Sequence, residues 1–192
     1  MRAALPSSMQ RLGVITLAAL ALVGAPRLAA AQDAASAEAR KAYLGQLEEL
    51  HGKFLQLAEA FPANKYSWRP APGVRSVGEA FMHVASEYYV FTPMAYGAAR
   101  SPVIPPGRES FPKFEAASTK ADVLKHLKEG YAYMRSNVMG LEPEKITGTQ
   151  KLFNSDHTIL ETSIIMTADL HEHLGQLIAY ARMNGVKPPW SK

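Results

Sequence analysis

The residues with the clearest capacity for chemistry lie in one stretch near the C-terminus, Ala168-Asp169-Leu170-His171-Glu172-His173-Leu174-Gly175-Gln176. On a helix, a rotation of about 100° per residue stacks Asp169 above His173 and continues that stripe through Gln176 and Tyr180. His171 then points about 160° away from both. On a regular helix, therefore, Asp169 and His173 can share one ion, whereas His171 and His173 cannot. A second pair, His83 and Glu87, is spaced by one helical turn, with His83 set among Ala80, Phe81 and Val84. Helical bundles build metal sites from inward-facing side chains on different helices. His83, Asp169 and His173 would supply two imidazoles and one carboxylate, leaving coordination positions for water or substrate. Such a set suits a divalent ion such as Zn, Ni, Fe or Mn. Glu87 and Gln176 are the candidates for a catalytic part, orienting an imidazole or a bound water or handling a proton. The same spacing also fits a hydrogen-bonded core histidine and an ordinary helical side-chain pair, so spacing alone leaves ligation open. His51, His126 and His157 carry no partner pattern and are read as surface or loop residues.

These candidates need helices to position them, and the chain supplies four long helical patterns. The first runs from about Ala34 to Phe61, with Tyr43, Leu44, Leu47, Leu50, Phe54, Leu57 and Phe61 recurring every three or four positions. Pro62 ends it, and Pro70, Pro72 and Gly73 mark a loop. The second opens at Ser76, where Ser76 and Glu79 form a capping box, and continues to near Pro93. Residues 97–112, rich in Pro and Gly, read as irregular chain that could lie over an opening. The third starts near Ser118 or Thr119, with Asp122 in its first turn and Val123, Leu124, Leu127, Tyr131 and Met134 facing inward; Gly140 and Pro143 end it. The fourth opens at Thr158 with Glu161 three residues on, and stops at Asn184 and Gly185. No alternation is long enough for a sheet. Met82, Met94, Met134, Met139, Met166 and Met183 read as core fillers, while Trp68 and Trp190 are expected to pack at the end of the assembly. The expected fold is all-α, an antiparallel four-helix bundle.

Residues 1–31 read as a secretory signal peptide. Arg2 and Arg11 begin it, a 14-residue apolar run from Leu12 to Ala25 follows, and Ala29-Ala30-Ala31 offers a small-residue cleavage pattern. Residues 32–192 would then form a single exported domain, periplasmic or extracellular, with no stable membrane span after cleavage. The formal charge of +4 rests on three arginines in that leader and falls to +1 for the remainder. Bulk charge thus argues against a nucleic-acid partner. The absence of cysteine excludes thiolate ligands and a cysteine nucleophile. No G-x-S-x-G elbow, phosphate-binding glycine loop or dinucleotide fingerprint is present.

Two blocks together resemble the DinB/YfiT-like superfamily. One is Tyr66-Ser67-Trp68-Arg69-Pro70-Ala71-Pro72-Gly73-Val74-Arg75-Ser76 followed by Phe81-Met82-His83-Val84-Ala85. The other is His171 to Gly185, HEHLGQLIAYARMNG, followed by Pro188-Pro189-Trp190-Ser191. The resemblance implies a four-helix bundle carrying a divalent metal on three histidines. The first ligand falls on His83 and the last on His173. The middle one falls on Asp169 instead of a histidine, and His171 is the alternative ligand where the helix unwinds locally. Relatives of this kind include thiol-dependent transferases and isomerases, and the resemblance implies no DNA binding. Two functions follow as expectations. One is a metal-dependent transferase or hydrolase acting on a small molecule through a metal-activated water or thiol. The other is a non-catalytic metal-binding or interaction protein of the envelope, with room for a homodimer in either case.

Overall fold

The structure is a computed structural model that describes the backbone of residues 7–146, 148–152 and 154–191, with side chains described from Leu28 onward except at a few positions. The chain is mostly helical. Helix α1 spans Ser7–Ala60, beginning well before the expected Ala34 because the preceding sequence is rich in the strong helix formers Ala and Leu. The expected leader over residues 1–31 falls almost wholly outside the described side chains. Among the described residues no helix is long and apolar enough to cross a membrane.

The stripe along α1 is buried as its spacing demands: Leu47, Leu50, Phe54, Leu57 and Phe61 are all inaccessible to solvent or nearly so. His51, expected at the surface, is buried on that same stripe, its ring stacked on Tyr131 at 3.9 Å between centroids. It sits four residues after Leu47 and three before Phe54, which places it on the inner face. Burial lowers its pKa to about 4, so it is neutral in the core. His126 also departs from a surface reading, since it packs edge-on against Phe114 at 4.8 Å. His157 is half-buried on a short strand.

Helix α2, Val77–Tyr96, opens on the expected capping box: Glu79 N donates to Ser76 Oγ and Ser76 N donates to the Glu79 carboxylate. Pro93 lies inside α2 and does not end it. The helix runs on to Gly97, whose left-handed backbone (φ 64°) closes it. The segment expected to be irregular then yields helix α3, Ser110–Ala116. Helix α4, Lys120–Met139, is capped by Thr119 as expected. Val123, Leu127 and Met134 fill its inner face, with Leu124 and Tyr131 partly buried against the core. After a single turn, α5 (Pro143–Ile146), the chain forms a small antiparallel hairpin. Its strands are β1, Thr149–Leu152, and β2, Ser155–Thr158, paired with Leu152 opposite Ser155. This sheet is absent from the sequence reading because four-residue strands are too short to establish a period of two; the local cue is Asn154, in the left-handed region at φ 67°. Helix α6, Ile159–Met183, carries the second capping box, between Thr158 and Glu161.

The long helices pack on one another, α2 against α4 and α6, and α1 against α4 and α6. Met82, Met134 and Met166 are buried, whereas Met139 and Met183 are mostly exposed and fill no core. Trp68 and Trp190 pack against the core, and Trp68 meets Tyr180 edge-on at 5.5 Å. Two glycines make close approaches feasible. A Cβ at Gly130 on α4 would lie 3.1 Å from Tyr88 Cβ and 3.2 Å from the Ala85 carbonyl on α2. One at Gly78 would lie 2.3 Å from the Ser118 carbonyl oxygen, so the segment joining α3 to α4 can rest on the first turn of α2 only because Gly78 has no side chain. Gly78→Ala should therefore destabilise the protein by about 1–3 kcal/mol in chemical denaturation. Gly45→Ala, on an open helical surface with nothing within 4 Å, should be neutral or stabilising by up to about 1 kcal/mol.

Candidate metal centre

Helix α2 contributes two groups to the centre. His83 and Glu87 lie one turn apart on it, and their side chains approach each other, His83 Nε2 to Glu87 Oε1 at 3.2 Å. Helix α6 contributes His173, whose Nε2 lies 3.0 Å from the same Glu87 oxygen. The two imidazoles stand edge to face, centroids 4.8 Å apart. His83, Glu87 and His173 each offer a ligand atom, and these atoms all lie within 4.8 Å of one another. One ion could reach all three.

The sequence candidates are thus only partly brought together. His83 and His173 converge. Asp169 stands at the edge, its Oδ1 3.8 Å from His173 Nε2. The carboxylate between the two rings belongs to Glu87, which spacing had suggested for orientation or proton handling. The difference is one of reach: Glu87 Oε1 lies within 3.2 Å of both imidazole Nε2 atoms, while Asp169, one methylene shorter, meets His173 at 3.8 Å and hydrogen-bonds to Glu87 itself. His171 faces elsewhere, lining a shallow groove between α1 and α6 with Gln46, Thr167 and Ala168. Gln176 donates to Tyr180 Oη at 3.0 Å rather than to an imidazole.

One residue at the site was not found by sequence reasoning. Glu115 on α3 accepts a hydrogen bond from His83 Nδ1 at 2.6 Å and is gripped by Arg75 through Nε (2.8 Å) and Nη2 (3.3 Å). No spacing rule links positions 83 and 115; only the tertiary packing of α3 does.

The electrostatics follow from these contacts. Glu87 is 4% exposed, and burial alone would raise its pKa. Hydrogen bonds from His173 and His83 outweigh that and hold it below the ordinary carboxylate value. Burial likewise works to lower the His83 pKa, but the bonds to Glu115 and Glu87 raise it to about 9. The hydrogen bond to Glu87 is the main cause of the raised His173 pKa. Asp169 is raised, first by burial and then by the nearby Glu87 charge. The contacts that keep Glu87 ionised are thus the same ones that favour the protonated form of the two imidazoles in the metal-free protein. The residues present fit a divalent cation on a specific observation: Glu87 Oε2 is buried and, among the described residues, receives no hydrogen bond from an N–H or hydroxyl, the Asp169 carboxyl being the other group that bonds to Glu87. A buried carboxylate oxygen left unsatisfied is costly, and here it stands beside two imidazole nitrogens, a donor set suited to such an ion.

Because folding raises the His83 and His173 pKa values, their contribution to stability is complete below the ordinary imidazole value of about 6.5. For His83 it is lost as pH rises through about 9. The denaturation midpoint of chelator-treated protein should therefore fall between pH 7 and 9.5, and His83→Gln should flatten that slope. A midpoint independent of pH across this range would contradict the charge assignment.

Comparison with known proteins places the chain in a family. The sequence profile of the DinB superfamily matches residues 46–177, more than half of the chain and a span that includes all three clustered residues. Among solved structures, the fold resembles a DinB-like protein from Bacillus subtilis, with a TM-score of 0.60 and 17% identity over 76% of this chain and 92% of that one. It also resembles a DinB-like protein from Bacillus cereus, with a TM-score of 0.61 and 11% identity over 79% of this chain and 97% of that one. No curated protein sequence matches the chain.

Proposed function

The chain belongs to the DinB superfamily, and from that footing we propose that it is a divalent-metal protein built on an antiparallel four-helix bundle of α1, α2, α4 and α6. His83, Glu87 and His173 are its ligands, and its activity is directed at a small molecule. The observation that carries this reading is the unsatisfied, buried Glu87 Oε2 set between two imidazoles from different helices. A divalent cation in that position supplies Lewis acidity, sharpening the nucleophilicity of water or a thiol at neutral pH. The identity of the ion, among Zn, Ni, Fe and Mn, is open to two imidazoles and a carboxylate alike.

The residues around the ligands have distinct parts in this proposal. Glu87 neutralises one positive charge and fixes the separation of the two rings. Asp169, with its raised pKa, is the group best placed to hold and release a proton beside the cluster, and so replaces Gln176 as the nearer candidate for proton handling. Gln176 and Tyr180 line up beyond it, where Tyr180 Oη also donates to the Arg75 carbonyl at 3.3 Å. The class of reaction we favour is a metal-dependent transfer or hydrolysis. Export of residues 32–192 after removal of the leader belongs to the same proposal.

Metal stoichiometry of untagged protein tests the reading directly. His83→Ala, Glu87→Ala and His173→Ala should each abolish high-affinity binding of zinc or nickel, while His171→Ala should leave it largely intact. Asp169→Ala should weaken binding less than any of those three. Equal loss from His171→Ala and His173→Ala would overturn the assignment. Binding should also tighten steeply from pH 6 to pH 9, because the cation displaces protons from both imidazoles; release of protons into weak buffer on zinc addition measures this.

A further inference from the structure

Glu115 and Arg75 lie outside the cluster of ligand atoms, yet their geometry bears on whether His83 can act as a ligand. A neutral imidazole carries one N–H, and the other nitrogen must face the ion. His83 stands between two carboxylates: Glu87 Oε1 lies 3.2 Å from Nε2, and Glu115 Oε1 lies 2.6 Å from Nδ1. If the single proton sits on Nε2, it points at Glu87 and the ring cannot ligate there. If it sits on Nδ1, Nε2 presents a lone pair to the space shared with Glu87 and His173. The shorter contact is the one to Glu115.

Glu115 is itself fixed in place. Arg75 engages both of its carboxylate oxygens, and Arg75 is tethered through its own carbonyl by the Tyr180 hydroxyl. Ser118, three residues past Glu115, rests against Gly78 on α2, one and a half turns before His83. The α3 carboxylate is thus set against the back of the His83 ring by contacts on both sides of it. Carboxylates that accept the second N–H of a metal-bound histidine fix its tautomer and raise its basicity.

We infer that Glu115, held by Arg75, is a positioning residue that keeps the His83 proton on Nδ1 and so commits Nε2 to the metal. This rests on the metal-centre reading above, and it couples the short helix α3 to occupancy of a site it does not enter.

Zinc titration against a competing chelator, on untagged full-length protein, tests it. Glu115→Ala should bind zinc about 10–100-fold more weakly than the parent. Glu115→Gln should recover part of that loss, because its amide oxygen can still accept from Nδ1. Arg75→Ala should weaken binding in the same direction by less. In the zinc-loaded parent the His83 Nδ1 proton should give a slowly exchanging downfield NMR signal that disappears in Glu115→Ala, a readout that a purely structural role would not move. Zinc affinity within twofold of the parent in Glu115→Ala, with His83→Ala having lost binding, overturns the role of Glu115 and leaves the metal centre standing. Failure of the parent to bind zinc, or parent-like affinity in His83→Ala, overturns the metal reading itself. Thermal melts of the metal-free variants identify any folding failure. Should Glu115→Ala not fold, Arg75→Ala and Glu115→Gln decide: parent-like zinc affinity in both refutes the proposal.

Discussion

A single carboxylate, Glu87, sets the terms for the centre of this molecule. It is almost completely buried, and an ionised carboxyl group in a protein interior is tolerated only with partners. The fold provides two, on different helices, so α2 and α6 must meet at a fixed height and rotation for Glu87 to be charged at all. Among the described residues its second oxygen still receives no hydrogen bond from an N–H or hydroxyl.

Much of the scaffold could be read from local sequence because its determinants are local. The capping boxes at Ser76 and Thr158 involve residues three positions apart, and each marks a helix start to the residue. The apolar spacing on α1 and α4 identified their inner faces. What escaped depends on competition or distance. Pro93 would end an isolated helix, but α2 carries it within its last turn and continues to a left-handed glycine. The β1–β2 hairpin rests on eight residues, below the length at which alternation is distinguishable from chance. His51 is polar and so expected at the surface, yet its spacing from Leu47 and Phe54 puts it on the buried stripe, where period outweighs polarity.

The site was legible to a similar depth. His83 and His173 could be singled out from helix geometry and from the resemblance to the DinB family, and the structure brings them together. The rotational argument that separated His171 from His173 agrees with the placement of His171 in the groove facing α1. The ranking of the acids was harder. Asp169 matched a motif position, while Glu87 matched only a one-turn spacing from His83, and the choice between them depends on where side chains of different length end. Glu115 had no sequence signal at all, because its contact with His83 is made by the return of the chain through α3.

The notch at Gly130 has a consequence for motion. With no side chain there, α4 comes against α2 at Ala85 and Tyr88, the turn that also carries Glu87. The turn is covered by the neighbouring helix, and Ala85, Glu87 and Tyr88 on it are all buried, so fraying of the helix ends does not expose it. Hydrogen exchange of its backbone amides should then require a large-scale opening. Slow exchange and the buried charge should thus coincide on the same turn of α2.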